Sequence, residues 1–452
     1  MLSRQTATLA ATILGSSLAF IDGSVVNVAL PTIQNAFGAS AAATSWMINA
    51  YALPLGALVL LFGAAGDRYG KRRLFVWGTI LFTAASILCA LAPSLSLLLA
   101  GRVLQGIGGA MLMPNSLALI GIAFDGEARG RAIGTWSAVG AIGGAIGPVL
   151  GGWLVDSVSW RAIFFINVPL ALGAIFLSLR YVEEHRRHDA APLDWVGASL
   201  ATAGLAALTW GLTIASTAMA GPFAWGAIAL GIVLLIVFVL VEARTGKIAM
   251  MPVKLFGTPT FVGVTILTFF LYAALGGLFV LLPYLLIRVG HYDATVAGAS
   301  LLPLPLILGA ASRSTGRLAE KTGPRLLLTI GPFTAAIGFA LFARVASADI
   351  EYWRVIFPAL LLLACGMALS VAPLTTTVMA SVDADHAGSA SGINNAVARI
   401  AGLLAVAVLG FALADATEDR FVANFRIAVL GAAAMAVAAS AAGLLLVRNP
   451  QR

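Results

Sequence analysis

The chain has 452 residues, of which 60% are hydrophobic and only 10% charged, and its mean hydropathy is +0.98. A soluble domain carries charge on about a quarter of its residues, so a soluble fold is excluded. The net charge of +8 does not mark a nucleic-acid surface, because the Lys and Arg residues sit in joints between apolar runs and form no single basic patch.

A bilayer-spanning helix needs roughly 20 mostly apolar residues, and runs of that kind fill nearly the whole sequence. They are continuously apolar where a transmembrane barrel strand would alternate over about 10 residues, so a barrel is ruled out. In chain order the runs centre near Ala19, Gly56, Leu81, Gly108, Gly143, Leu170, Gly204, Val233, Leu271, Leu304, Ala335, Leu362, Leu403 and Ala434. The pattern predicts an all-α membrane protein of about fourteen transmembrane helices with short loops. An even count places both termini on one side. Basic clusters at Arg68 to Arg73, Arg180 to Arg187 and Arg313 to Arg325 then fall on the N-terminal side of the bilayer, which the positive-inside rule makes the cytoplasm. The expected location is a cell membrane, crossed many times, with both termini cytoplasmic.

The first apolar run carries Arg4 before it and continues through Asp22 and Asn27 without a convincing cleavage site, so it reads as a permanent helix and not a signal peptide. Cys89 and Cys365 both lie in apolar runs, which argues for core packing and against a disulfide or thiolate metal site. The joint Gly63-Ala-Ala-Gly66-Asp67-Arg68-Tyr-Gly70-Lys71-Arg72 returns later as Gly316-Arg317-Leu-Ala-Glu320-Lys321-Thr-Gly323-Pro-Arg325. This repeat predicts two six-helix bundles, 1–188 and 257–452, bracketing an extra central helix pair at 189–256.

Several residues stand out within the runs. Asp22 lies inside the first helix, where an ionised acid is costly and usually functional; desolvation disfavours the charged form of a buried acid, which suits a group that takes up and releases a proton. An Asp near the outer interface would instead be merely solvated. Arg102 in the fourth helix is equally expensive without a purpose or a partner, and either tunes a nearby acid or pairs across helices to hold the bundle. Arg399, in the Gly392-Ile-Asn394-Asn395-Ala-Val-Ala-Arg399 stretch, reads as facing a substrate path or as packing. In the fifth helix, Gly140, Gly144, Gly147 and Gly151 recur at steps of three and four, predicting one small-residue face for close helix approach, with Pro148 removing a backbone donor. Ordinary small-residue packing is the plainer account of that face. Asp67 and its neighbouring bases at a Gly66/Gly70 turn read as a cytoplasmic gating latch made of Gly63, Gly66, Asp67, Arg68, Gly70, Lys71 and Arg72, with Glu320 as the acid of a weaker second copy.

Taken in order, Asp22-Gly-Ser-Val-Val-Asn27-Val-Ala-Leu-Pro31, the Gly63 to Arg73 joint, Arg102-Val-Leu-Gln105-Gly106-Ile-Gly108-Gly109, the fifth-helix glycines and Trp160-Arg161-Ala-Ile-Phe-Phe-Ile-Asn167-Val-Pro169 resemble the signature motifs of the major facilitator superfamily. The closest resemblance is to its fourteen-helix drug:proton antiporter subfamily of the QacA/EmrB type, and it covers almost the full chain. It implies proton-motive export of small lipophilic compounds by alternating access, with Asp22 and Arg102 in proton coupling and the fifth-helix glycines as the antiporter motif. Asn27, Gln105, Asn394 and Arg399 are candidates for the substrate cavity.

Other classes find little support. The Gly66 to Arg72 joint is one residue short of a phosphate loop and lacks a Ser or Thr after Lys71, so ATP drive and an ATP cofactor are not expected. The four histidines map to joints, and neither a metal motif nor a nucleophile elbow marks an enzyme. Expected partners are a lipophilic small molecule, protons and the bilayer, with no cofactor, metal or nucleic acid. A proton-linked symporter or facilitator importing a small nutrient remains the alternative, and the acids of the C-terminal half, which fall in or near joints, argue against dications as cargo.

Overall fold

The computed structural model describes residues 3–186, 192–216, 221–245, 251, 253–345, 350–382, 387–413 and 417–449. Every regular element among them is helical. Fourteen helical segments of the described residues are long and apolar enough to cross a membrane, and each expected centre falls inside one of them. In lipid a backbone must satisfy its polar groups internally, which is why long helices are the solution for so apolar a chain.

The chain forms two compact units. The first comprises Met1–Ala39, Trp46–Leu208 and Ala229–Met250. Its helices are α1 (Arg4–Phe37), α2 (Ala41–Tyr69), α3 (Lys71–Ala90), α4 (Leu95–Ala123), α5 (Gly126–Ser157), the short α6 (Ala162–Phe165) and α7 (Asn167–Tyr181), which together make one span, and most of α8 (Trp195–Ala215) and α9 (Pro222–Thr245). Ser3 caps α1 by accepting from Thr6 N at 3.1 Å, and Ser94 caps α4 from Leu97 N at 3.4 Å, each satisfying a donor left over at a helix start. The unit's core packs Leu18, Tyr51, Phe75, Phe82, Leu112 and Leu119. Leu193 and Ala198 at the head of α8 pack on Leu61 and Ala65 of α2, and two acids sit buried in the α8/α9 pair. Asp194 caps α8 by accepting from Gly197 N at 2.7 Å, and Glu242 of α9 is 2% exposed.

The second unit comprises Ser40–Ser45, Thr209–Ile228 and Met251–Arg452. It contains α10 (Pro259–Arg288), α11 (Ala294–Ala299) and α12 (Pro303–Thr322) forming one interrupted span, α13 (Pro324–Phe342), a π-helical turn at Tyr352–Ile356 leading into α14 (Phe357–Ala380), α15 (Ala387–Val408), the short α16 (Gly410–Leu413) and α17 (Glu418–Leu446). Its core is aromatic: Tyr284 stacks on Phe421 at 5.5 Å and Phe342 meets Phe425 edge-on at 6.5 Å. Large apolar side chains such as Phe176, Phe223 and Leu445 remain exposed, which is the expected outer surface of a protein whose solvent is lipid. Cys89 is buried but Cys365 is exposed, so only the former packs in a core; Cys365 lies on an outward face of α14.

Candidate functional site

α1 reaches its neighbours through small residues. In α5, a side-chain carbon added at Gly140, Gly147 or Gly151 would meet Phe20, Ser24 or Val25 at 2.6, 2.0 or 2.4 Å, so α5 lies directly against the α1 turns that flank Asp22. Gly144 is not part of that face: a carbon added there meets nothing within 4 Å. The sequence spacing of three and four is compatible with either Gly143 or Gly144, and it is Gly143 that sits beside α1, with Ile21 at 3.5 Å. Pro148 is buried one residue after Gly147. Trp136 of α5 adds a polar tie, its Nε1 donating to Ser16 Oγ at 2.9 Å, while Ser16 and Ser116 of α4 share a hydrogen bond at 2.7 Å.

Held this way, Asp22 turns toward α4 and is 0% exposed. It is not a solvated interfacial acid. Arg102 Nη1 donates to Asp22 Oδ2 at 2.5 Å and to Gln105 Oε1 at 2.8 Å, and Arg102 Nε donates to the Met47 carbonyl at 3.1 Å. The guanidinium also lies 4.4 Å from the centroid of the Tyr51 ring and 5.9 Å from that of Phe164. Gln105 Nε2 donates to Asp22 Oδ1 at 3.1 Å and to Ser86 Oγ at 2.7 Å. Asn167 Nδ2 reaches the same Asp22 oxygen at 3.4 Å and Ser86 at 3.1 Å. Asp22 therefore accepts from donors on α4 and α7, and the arrangement is the one an ionised carboxylate requires. The pair is charge-compensated and almost fully hydrogen-bonded, which is the condition for burying two charges at tolerable cost.

Three members of this network were not singled out in the sequence. Ser86 and Tyr51 look there like ordinary helix residues. Asn167 stands in a recognisable motif, and its location explains its reach: it is the first residue of α7, just after the break from α6 at Ile166. Its Oδ1 is buried with no hydrogen-bond partner, the open acceptor of the cluster.

The candidate cavity residues separate. Gln105 is consumed by the ion-pair network and 0% exposed, whereas Asn27 is half-buried on α1. In the second unit Asn394 accepts from Thr268 Oγ1 at 2.6 Å, tying α15 to α10, and Arg399 is half-buried further along α15.

At the α2–α3 joint, Lys71 Nζ pairs with Asp67 Oδ1 at 2.9 Å, and Arg68 is exposed over the Tyr69 ring. Gly70 adopts φ +110, a conformation that favours glycine. Arg72 Nη1 donates to the Val182 carbonyl at 3.0 Å. Glu184 has no role in the sequence reading, yet its carboxylate accepts from the backbone N–H of Arg72 and of Arg73, each at 3.1 Å, placing a negative charge at the N-terminus of α3, where the helix dipole favours it. Gly66 is needed for close approach, since a carbon there would lie 1.7 Å from Asn115 Oδ1, while Gly63 meets only Pro114 at an ordinary 3.5 Å. In the second joint Gly323 has φ +83 and Asn449 Oδ1 accepts from Arg325 N at 3.1 Å; the side chain of Glu320 lies outside the described residues.

Fourteen spans in two units, each with a glycine joint of positive φ, make this a polytopic membrane protein, and comparison with known proteins gives its family. The family model of the Major Facilitator Superfamily matches residues 12–406, and the chain belongs to that superfamily. It is 35% identical over 414 residues to the drug efflux pump JefA of Mycobacterium tuberculosis, covering 91% of this chain and 80% of that protein. It is 34% identical to the puromycin resistance protein pur8 of Streptomyces alboniger, covering 88% and 80%, and 29% identical to the methylenomycin A resistance protein of Bacillus subtilis, covering 93% and 90%. Among solved structures, an inward-facing bacterial homologue of the human lysosomal transporter Spinster matches with TM-score 0.69 at 18% identity over 100% of both chains, a likeness of fold.

Proposed function

We propose that this protein is a proton-coupled exporter of small lipophilic compounds, a multidrug or natural-product efflux antiporter working by alternating access in the cell membrane with both termini in the cytoplasm. The observation that carries the reading is the buried Asp22–Arg102 pair, fastened by Gln105, Ser86 and Asn167. Protonation of Asp22 removes the charge that holds Arg102, and the network must then rearrange; deprotonation restores it. α5 clamps α1 on the other side of Asp22, so a change at the acid moves the helix contact that the antiporter motif forms. The efflux and resistance functions in the names of the similar proteins support the direction of transport. The acids of the C-terminal half fall in or near joints, which favours neutral or singly charged cargo over dications.

Energy comes from the proton gradient, without ATP. A proton crossing 100 mV gains about 2.3 kcal/mol and each pH unit adds about 1.4. One proton exchanged for one monovalent cation moves no net charge and draws on the pH difference alone, whereas a neutral substrate draws on both. The test uses purified protein in liposomes with an imposed pH gradient and ethidium as cargo, orientation being fixed by protease access to the Gly66–Arg73 joint. Accumulation opposite to the proton flux, abolished by Asp22→Asn, is expected; movement of cargo with the proton would make the protein a symporter.

A further inference from the structure

The second unit holds an open groove of 770 Å³, at the end of the unit opposite to the Gly323 joint. Two stretches of irregular backbone build it. Between α11 and α12 the helix breaks at Ser300, because Pro303 and Pro305 have no N–H and Leu304 N turns to Leu301 O at 3.2 Å, which leaves the Ser300 carbonyl to be claimed elsewhere. Tyr352, on the π-helical turn, donates its hydroxyl to that carbonyl at 2.9 Å, and Tyr292 donates to the Ile350 carbonyl at 3.1 Å. Non-helical backbone within a membrane protein is tolerated where it is buried in protein or lines a cavity, and π-turns concentrate at functional sites. Here both irregularities line the same space and the two tyrosines lock its walls together.

The lining is graded. Val296, Leu306 and Phe357 make its apolar side, and Trp353 is 73% and Leu306 64% exposed, so the groove is open along that side. At the rim Arg354 Nη1 meets Glu351 Oε1 at 3.1 Å, and 82% of the Arg354 side chain is exposed. Tyr352 and Trp353 beside this pair are the residues that settle at a membrane–water boundary. An apolar trough with one cation and one anion at its polar end complements a molecule that carries acyl chains, a phosphate and an ammonium.

We propose that this groove is a phospholipid site that selects a zwitterionic lipid with a primary-amine headgroup. Its place in the outer leaflet rests on the orientation given under the proposed function. Arg354 takes the phosphate; Glu351 accepts from the ammonium N–H, a contact that a quaternary choline lacks and a glycerol headgroup does not charge-assist. Lipid surrounds the opening at far higher concentration than any dissolved lipophile, so mass action makes lipid the resident.

The test is native mass spectrometry of the purified full chain, equilibrated with equal amounts of phosphatidylethanolamine, phosphatidylcholine and phosphatidylglycerol of the same acyl chains. One bound phosphatidylethanolamine is expected, favoured at least tenfold over phosphatidylglycerol. Arg354→Gln is expected to cut its retention about tenfold, and Glu351→Gln to erase the preference over phosphatidylcholine. Leu306→Trp, which fills the apolar side of the groove, should expel the lipid from protein whose helical circular dichroism is unchanged. Equal retention of the three lipids, retention indifferent to all three variants, or binding of ethidium in place of lipid with loss in the same variants would each overturn the assignment. The readout involves no transport, so failure of the exporter reading leaves it standing and its own failure leaves the exporter reading untouched.

Discussion

The two units bury different kinds of polar group. Among the described residues, the buried charged side chains Asp22, Arg102, Asp194 and Glu242 all belong to the first unit, while the buried polar side chains of the second are hydroxyls such as Thr268, Ser370 and Thr377. Ser370 and Thr377 return the hydroxyl proton to a carbonyl one turn back, at 2.7 and 2.6 Å, while Thr268 turns to Asn394 of α15. A hydroxyl can thus be satisfied within its own helix or by one neutral neighbour. A buried charge cannot be, and Asp22 draws donors from α4 and α7 while Arg102 reaches across to α2. The first unit buries a charge pair that ties its helices together, and the described residues of the second bury none. The first is where a proton can change the structure.

The largest expected effect comes from breaking the charge pair on one side only. Arg102→Gln leaves Asp22 buried without its cation and should destabilise the unit by about 3–5 kcal/mol, read as a lowered melting temperature in detergent. The double variant Asp22→Asn/Arg102→Gln removes both charges and should recover most of that loss without recovering proton-driven transport. Additive losses, with no recovery, would show that the pair is not a coupled unit.

Next comes the α1–α5 clamp. Gly147→Val, forced against Ser24, should cost about 1–3 kcal/mol through overpacking and reduce transport sharply. Gly144→Val on the open side of the same helix should leave transport close to wild type. If the two behave alike, the glycines matter as a general small-residue surface and not as a contact with α1.

The α2–α3 and α12–α13 joints sharpen the comparison at smaller scale. Glu184→Gln removes the charge at the start of α3 and should cost about 0.3–1 kcal/mol, an effect weakened by salt. Asn449→Ala in the second joint removes a neutral acceptor, so its cost should be insensitive to salt. Of similar size, Thr268→Val breaks the hydroxyl–amide tie to Asn394 and should cost about 0.5–1.5 kcal/mol while leaving the ratio of protons to cargo unchanged.

Much of this was legible in the sequence, for definable reasons. Fourteen spans follow from apolar run length, and Asp22 and Arg102 announce themselves because charge inside an apolar run is expensive. Their pairing was not legible: they are 80 residues apart on separate helices, and no spacing rule links them. Ser86 and Tyr51 escaped because a lone Ser or Tyr in a helix is indistinguishable from packing until its neighbours are known. The fifth-helix glycines were found as a set, but helical periodicity admits steps of three or four equally, and only the contact with Ile21 of α1 selects Gly143 over Gly144. Glu184 sits in a joint, where an acid reads as solvated; its work as a cap depends on a chain crossing that sequence does not reveal. The groove of the second unit follows from a π-turn and a proline-broken helix meeting in space, which no local pattern encodes.

The central claim is that Asp22 exchanges a proton as cargo binds and leaves. Its most direct test is proton release on ethidium addition to the purified protein in weakly buffered detergent solution, followed with a pH dye for wild type and Asp22→Asn. The account predicts release in step with binding by wild type, and none from an Asp22→Asn protein that still binds ethidium. Equal release from both would contradict it.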